Sequence, residues 1–224
     1  MKKLFVLGLC IFLSSCATHA QDGMDDVTMY GQPSELIQGS PEELYKRGNQ
    51  YAKEQDYGRA LQYYRSSAKQ GYPKAQYAIG YLYRTGHGVP RDYNMAARWF
   101  ERSAGQGNSD AQLSLGMRYL LGQGTPQDYN QARSYFEQAA GQGNPYAENE
   151  LGYMYAAGKG VSQNYTTSVM WYQRAADHGL SSAQYNLGLI YSNGIGVQVD
   201  KAKANEYFHK AAAKGFAPAR KAIG

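Results

Sequence analysis

The chain repeats itself every 36 residues. One set of glycines follows this interval exactly in four copies, and a set of alanines and a second set of glycines keep the same spacing. The first set is Gly80, Gly116, Gly152 and Gly188, the alanines run from Ala75 to Ala219, and the second glycines run from Gly71 to Gly215. A fixed period of roughly 20–50 residues is typical of a solenoid, in which each repeat buries its apolar face against its neighbours.

Each repeat contains two short amphipathic segments. In the first complete copy, Ala75, Ile79, Leu82 and Tyr83 are spaced at i, i+4, i+7 and i+8. The same spacing returns in a second segment, at Ala96, Phe100, Ser103 and Ala104. Apolar residues at this spacing lie on one face of a helix, so the sequence predicts two helices per repeat and an all-α fold.

Glycines and acidic residues mark the helix packing and the helix ends. Gly80 and its equivalents lie inside the first helix, where glycine costs roughly 0.5–1 kcal/mol relative to alanine. We therefore expect the paired helix to pass too close for a side chain. A Gly-x-Gly loop follows, as at Gly86–Gly88, and its first glycine suits the end of a helix. Asp92 and its equivalents are predicted to cap the second helix.

These motifs together resemble the Sel1-like repeat, a relative of the tetratricopeptide repeat. The resemblance rests on Leu-Gly-x-x-Tyr, as at 151–155, followed by Gly-x-Gly-Val, the capping acid, an aromatic pair and Ala-Ala-x-x-Gly. It covers about residues 72–224 and implies a right-handed α-solenoid of paired antiparallel helices. Residues 40–71 depart from the pattern, because the Gly-x-Gly insertion is missing there and the segment is closer to a tetratricopeptide repeat.

The resemblance and the composition divide the chain into successive parts. Residues 40–71 are predicted to be an N-terminal capping repeat. Sel1-like repeats are expected at 72–107, 108–143, 144–179 and 180–215, and a capping half-repeat at 216–224.

The N-terminus resembles that of bacterial lipoproteins. Lys2 and Lys3 precede an apolar stretch that is too short to span a bilayer as a mature helix, and 13–16 reads Leu-Ser-Ser-Cys. The tetrapeptide resembles the lipobox, which implies that Cys16 is lipidated and becomes the first residue. Residues 1–15 are thus predicted to be a lipoprotein signal peptide, and 16–39 a lipidated flexible tether. Ala17 replaces the aspartate that retains lipoproteins in the inner membrane. The resemblance thus implies a lipid-anchored protein of the cell envelope, at the outer membrane and facing the periplasm.

Charge is divided unevenly between the predicted tether and the body. The tether holds four acidic residues and neither Lys nor Arg, whereas the chain from Ser40 onward has 21 Lys and Arg against 14 Asp and Glu. A basic body suggests anionic neighbours such as lipid phosphates, peptidoglycan carboxylates or acidic proteins. The same charges also serve to solvate the outer helix faces.

The sequence offers no catalytic, metal or cofactor site. His87, His178 and His209 stand at three different positions of the repeat, and no pair has the spacing of metal ligands. The Gly-x-Gly loops lack the lysine and hydroxyl residues of a phosphate-binding loop. An exported chain is also a poor candidate for nucleic acid binding. We therefore predict that the protein is not an enzyme and needs no cofactor.

The predicted binding surface follows from the family resemblance. In tetratricopeptide arrays the first helix of each pair lines a concave groove, and this register selects residues that vary between the copies. They are Tyr45, Lys74, Tyr77, Tyr81, Arg84, Leu113, Met117, Tyr146, Asn149, Tyr153 and Tyr185. Leu120 occupies a groove position in the same register. Aromatic residues, Met and Arg are enriched at the centres of interfaces, although some of these tyrosines could pack only between repeats.

The leading hypothesis is a lipid-anchored periplasmic adaptor that binds an envelope protein or peptide segment in this groove. The alternatives are binding of an envelope glycan, either peptidoglycan or an exported polysaccharide, and modulation of an enzyme that acts on the cell wall.

Overall fold

The structure, a computed structural model, describes residues 37–223, and this part of the chain contains helices and no strands. Ten helices have 13 residues each, and a shorter one follows at the C-terminal end. They are α1 Pro41–Lys53, α2 Tyr57–Lys69, α3 Pro73–Thr85, α4 Tyr93–Gly105, α5 Ser109–Leu121, α6 Tyr129–Gly141, α7 Pro145–Ala157, α8 Tyr165–Asp177, α9 Ser181–Asn193, α10 Lys201–Ala213 and α11 Ala217–Ile223. The predicted all-α fold is confirmed.

The helices stack in chain order. Each odd-numbered helix from α1 to α9 packs on the even-numbered helix that follows it, and each of these pairs packs on the next. The core between them consists mainly of alanine, leucine and aromatic side chains, with Trp99 and Phe136 fully buried. This is the solenoid of paired helices that the 36-residue period predicts.

Polar side chains cap helix starts and glycines mark helix ends, as predicted. Asp92 accepts hydrogen bonds from the backbone N–H groups of Asn94 and Met95, at 2.8 and 3.0 Å. Asp56, Asp128, Asn164 and Asp200 cap the other second helices in the same way. Gly86 ends α3 with φ of 78°, in the left-handed region that favours glycine.

The helix-internal glycines are explained by aromatic rings of the paired helix. A Cβ atom at Gly116 would lie 2.5 Å from Phe136, and one at Gly188 would clash with Phe208. Gly80 meets Phe100 and Gly152 meets Tyr172 in the same manner. The expectation of close packing at these glycines is confirmed, and the group that excludes a side chain is a ring.

The first helix pair differs in its connection. Only residues 54–56 separate α1 from α2, whereas 86–92 separate α3 from α4. The turn is made by Gln55, whose φ of 62° is the one positive value at a non-glycine among residues 37–223. Ser40 caps α1 by accepting a bond from the Glu43 N–H at 3.4 Å. The missing Gly-x-Gly insertion therefore shortens the loop and leaves the helix pair intact.

The predicted signal peptide, the lipidation site Cys16 and the tether up to residue 36 lie outside the described residues. These assignments stay predictions. Within 37–223, no helix combines the length and the apolar character needed to cross a bilayer.

Candidate interaction groove

The predicted groove residues lie on the first helices of the pairs, in registers that repeat from copy to copy. We call one register the inner column, which comprises Tyr45, Tyr77, Leu113, Asn149 and Tyr185. The outer column comprises Tyr81, Met117, Tyr153 and Leu189. On α3, α5, α7 and α9 the residue of the outer column follows that of the inner column by four positions, which is about one helical turn. The two columns therefore run across the stack side by side.

Side chains of the inner column are half-buried and join neighbouring helices. The ring centroid of Tyr45 lies 5.4 Å from that of Tyr72, Tyr77 lies 5.5 Å from Phe100, and Tyr185 lies 5.5 Å from Phe216. Asn149 links its neighbours by hydrogen bonds, donating to Glu150 Oε1 at 3.1 Å and accepting from Asn186 at 3.2 Å. This column thus contributes to packing and offers only part of each side chain to a ligand.

Side chains of the outer column point outward. Tyr81 is 40% exposed, Tyr153 and Leu189 are each 37% exposed, and Met117 is half-buried. A cation lies over each tyrosine, with the Arg84 guanidinium 5.1 Å from the Tyr81 ring centroid and Lys159 Nζ 4.9 Å from that of Tyr153. The column is therefore a surface stripe of large side chains, one from each of four successive repeats, with Met117 the least exposed.

The remaining predicted residues stand apart from the two columns. Lys74 and Tyr146 share a register near the start of their helices and are both exposed. Arg84 is exposed near the end of α3. Leu120 occupies the same register on α5 and is only 4% exposed, so its expected place in the groove is wrong. It packs in the apolar cluster around Phe136 and Met154.

A cavity of about 180 Å³ opens between the second and third helix pairs. It brings together four of the predicted residues, Tyr77, Arg84, Leu113 and Met117. The rest of its wall is supplied by α4, by Ser114 and Arg118 of α5, and by Gln123 of the loop that follows. The other seven predicted residues do not line it.

Arginines surround this first cavity, and they have different roles. Arg118 is fixed by its own loop, because its guanidinium donates to the carbonyls of Gln123 at 3.1 Å and Gly124 at 2.9 Å. Arg84 lines the cavity, and Arg91 lies 5.6 Å from the ring of Tyr93, which forms part of the wall. Neither Arg84 nor Arg91 forms an ion pair with an acidic residue in the described part of the chain.

A second cavity, of about 190 Å³, occupies the equivalent place two repeats later. Each of its lining residues stands 72 positions after a residue that lines the first, namely Ala156, Tyr165, Ser168, Tyr172, Asn186, Leu189, Ile190 and Ile195. In this cavity Ala156 and Ile190 replace Arg84 and Arg118, and Gln163 replaces Arg91. At the junction between the two cavities, Leu120 and Met154 take the positions of Arg84 and Arg118, and both are buried.

Burial also affects the ionisation of the cavity wall. The pKa of Tyr77 is raised, first by its removal from water and then by the negative charge of Asp110. A tyrosine already carries its proton at neutral pH, and the raised pKa extends that range, so the phenol can donate a hydrogen bond to a ligand.

The sequence analysis missed a buried acid in the fourth repeat. Glu148 is fully buried, and its carboxylate receives Arg174 Nε at 3.1 Å and lies 2.9 Å from His178 Nδ1. The equivalent residues of the other copies are the buried glutamines Gln76, Gln112 and Gln184. Comparison of this one register across the copies would have revealed the exception.

The groove can bind ligands through apolar contacts, hydrogen bonds and positive charge. Among residues 37–223, no group of three or more His, Cys, Asp or Glu side chains is arranged to hold a metal ion. The Gly-x-Gly loops form helix ends, with each first glycine serving as the C-cap.

A model of the Sel1 repeat family matches five successive segments, 39–72, 73–108, 109–144, 145–180 and 181–216. The match includes the first helix pair, which the sequence analysis had placed closer to the tetratricopeptide repeat. No curated protein matches the chain.

Solved structures of Sel1 repeat proteins are similar to this chain. A Sel1 repeat protein from Oxalobacter formigenes is 34% identical with a TM-score of 0.74, over 80% of this chain and 72% of that one. A protective antigen from uropathogenic Escherichia coli with the same repeat fold is 30% identical, with a TM-score of 0.70. That alignment covers 83% of this chain and 43% of the antigen.

More distant relatives share the fold alone. An immunity protein from Pseudomonas aeruginosa is 24% identical with a TM-score of 0.58, over 83% of this chain and 71% of that one. The family match, the two closer structures and the repeated helix pairs agree. The chain therefore belongs to the Sel1 repeat family, whose helical scaffolds are generally protein-interaction modules.

Proposed function

We propose that this protein is a lipid-anchored scaffold of the bacterial cell envelope, and that its groove binds a segment of an envelope protein. The observation that carries the proposal is the outer column, in which four successive repeats present a large side chain at the surface, exposed at Tyr81, Tyr153 and Leu189 and half-buried at Met117. Aromatic side chains and Met bury much area at little cost in conformational entropy, as a binding surface for a protein segment requires.

The arrangement of charge around the tyrosines favours a protein ligand over a glycan. A sugar ring bound by stacking needs a free aromatic face, and Arg84 and Lys159 already cover one face of Tyr81 and of Tyr153. The same cations are well placed to meet carboxylates of a peptide. Protein binding therefore remains the first choice, and glycan binding becomes an outcome of the test.

The test is recovery of a partner from detergent-solubilised envelopes with the tagged full-length protein. We expect Tyr81→Ala combined with Tyr153→Ala to reduce the recovered partner at least about tenfold, because central aromatic residues dominate binding energy at interfaces. Met170→Ala with Val199→Ala is the matched control, since these exposed apolar residues lie away from the groove. The proposal fails if no protein is recovered, or if both double variants recover the same amount.

Sedimentation with purified sacculi distinguishes the glycan alternative. Co-sedimentation that persists in high salt and disappears in the Tyr81→Ala and Tyr153→Ala variant would replace protein binding by glycan binding. We expect no such sedimentation of the purified protein.

Lipid anchoring is tested at Cys16. The proposal expects the full-length protein to incorporate labelled palmitate and to fractionate with the outer membrane, and Cys16→Ser to abolish both. Two acyl chains hold a protein stably on a bilayer, so loss of the acylated cysteine is expected to remove that anchorage. Equal membrane association of the two forms would contradict the anchor without affecting the groove.

A further inference from the structure

The two equivalent cavities differ in charge, and only one of them has a chemical complement within the chain. Arg84 and Arg118 line the first cavity, whereas no charged side chain lines the second. Arg91 stands outside the lining and lies against Tyr93, which forms part of the wall.

The positive charge at the first cavity is available to a ligand. Arg84 and Arg91 form no ion pair within residues 37–223, and each lies against an aromatic ring at the cavity or beside it. The cavity floor is apolar, formed by Ala96, Ala97 and Phe100. An occupant that suits this site has an apolar side chain next to carboxylates.

Residues 25–30 of the chain have this composition. The segment reads Asp-Asp-Val-Thr-Met-Tyr, so two adjacent carboxylates are followed at once by apolar and aromatic residues. The whole stretch 17–36 contains no Lys or Arg that would be repelled by the cavity. Because the acidic segment and the basic cavity belong to one molecule, the segment is present near the cavity at a high effective concentration.

The segment is long enough to reach the cavity. The described chain starts at Ile37, whose N–H donates to Ser66 Oγ on α2 at 2.7 Å. Ser66 lies nine residues along α2 from Tyr57, about 14 Å, and a Cβ atom at Gly88 would lie 2.7 Å from that of Tyr57. The five residues from Gly88 to Tyr93 add at most about 17 Å, and the eleven from Asp26 to Ile37 span about 36 Å.

We propose that the first cavity binds residues 25–30 of the same chain, with an apolar side chain of the segment in the cavity and its two carboxylates beside Arg84 and Arg91. A bound segment covers part of the groove, so a protein partner has to displace it. The inference concerns the groove of the proposed function, and it requires no partner.

Cysteine cross-linking tests the contact in the purified chain. The soluble form from residue 17 onward contains no cysteine, so a pair can be introduced cleanly. Val27→Cys is combined with Met117→Cys in the first cavity, or with its equivalent Leu189→Cys in the second. We expect an intramolecular cross-link at least about tenfold faster for Met117→Cys, because the charges raise the local concentration of the segment.

Charge variants separate this contact from proximity alone, since the first cavity is also the nearer one. Arg84→Glu with Arg91→Glu is expected to slow the Met117→Cys cross-link about tenfold, and Asp25→Asn with Asp26→Asn to have a similar effect. The matched control is Arg220→Glu with Lys221→Glu on α11, which makes the same change of net charge and is expected to leave the rate unchanged.

Three results would overturn the inference. They are equal cross-linking at both cavities, a rate that is insensitive to reversal of Arg84 and Arg91, and cross-links found only between two molecules. Circular dichroism of each variant verifies that the helices are intact. Because the experiment contains no envelope partner, its failure leaves the proposed function standing, and failure to recover a partner leaves this contact standing.

Discussion

Two junctions of the stack hold their helices together with the same geometry and different chemistry. Between the second and third repeats, the buried amide of Gln112 donates to the Ala104 carbonyl at 3.5 Å and accepts from Gln142 at 2.8 Å. One repeat later an ion pair between Glu148 and Arg174 takes the place of the amide bridge. Glu148 cannot donate, and Arg174 reaches the Ala140 carbonyl at 3.3 Å in its place.

The two junctions differ at three residues of the polar bridge. Gln112, Gln138 and Gln142 of the amide junction correspond to Glu148, Arg174 and His178 of the charged junction, each 36 positions later. The comparison shows that the fold requires a satisfied polar bridge at this place and tolerates different residues in it. The charged junction depends more strongly on its partner side chains than the amide junction does. The reason is that burying a carboxylate without partners costs far more free energy than burying an amide without partners.

The largest expected effect comes from removing Arg174 and His178, the two side-chain partners of Glu148. Arg174→Ala with His178→Ala should lower the free energy of unfolding by about 3 kcal/mol, because a fully buried carboxylate is left uncompensated. The corresponding change at the amide junction, Gln138→Ala with Gln142→Ala, should cost about 1 kcal/mol. Urea unfolding followed by circular dichroism measures both. Equal losses would show that the two junctions do not differ in energy.

A double-mutant cycle sharpens the comparison. Arg174→Ala alone should cost about 2 kcal/mol in the natural chain and less than about 1 kcal/mol when Glu148→Gln is already present. The second change restores the amide found in the other copies, so the arginine loses its buried partner. Additive costs in the cycle would mean that Arg174 stabilises the fold through contacts other than Glu148.

The smallest effect concerns a second acid beside the charged junction. Burial raises the pKa of Glu150, above its ordinary value of 4.5, against an opposing hydrogen bond from Asn149. A raised folded-state pKa stabilises the fold below the ordinary value, and that contribution is lost as the pH rises through the folded-state value. Glu150→Gln should therefore raise the melting temperature slightly at pH 7 relative to the natural chain.

The pH dependence provides the check on this prediction. The advantage of Glu150→Gln should shrink as the pH is lowered toward and below 4.5, where the natural carboxyl becomes neutral. Glu54→Gln, at an exposed position after α1, is the matched control for a change of charge. An advantage that is constant from pH 4 to pH 7 (the assay range, roughly that over which a carboxyl titrates) would contradict burial as its cause.

The 36-residue period predicted the fold because the residues that recur in every copy are those that helix packing and helix capping require. The glycine at 116 and its equivalents indicated the close helix packing, and Asp92 with its equivalents indicated the helix starts. Both features are local, since each depends on one helix or one helix pair. The structure confirms them in every complete copy.

The groove could be predicted only in part. The register placed Tyr77, Arg84, Leu113 and Met117 on one surface, and the structure joins them in one cavity. Periodicity fixes the position of a residue around its helix, but the fit of the next repeat decides whether it is covered. Leu120 shares the register of Arg84 and is buried, because an apolar side chain fills the space that an arginine leaves open.

The order of helix contacts has a consequence for how the chain reaches its native state. From α1 to α11, each helix packs mainly on the helices just before and after it in the sequence. Native contacts therefore close short loops, which favours rapid folding. A chain that emerges with its N-terminus first can add each helix to one already in place, and no apolar face has to wait for a distant segment to be synthesised.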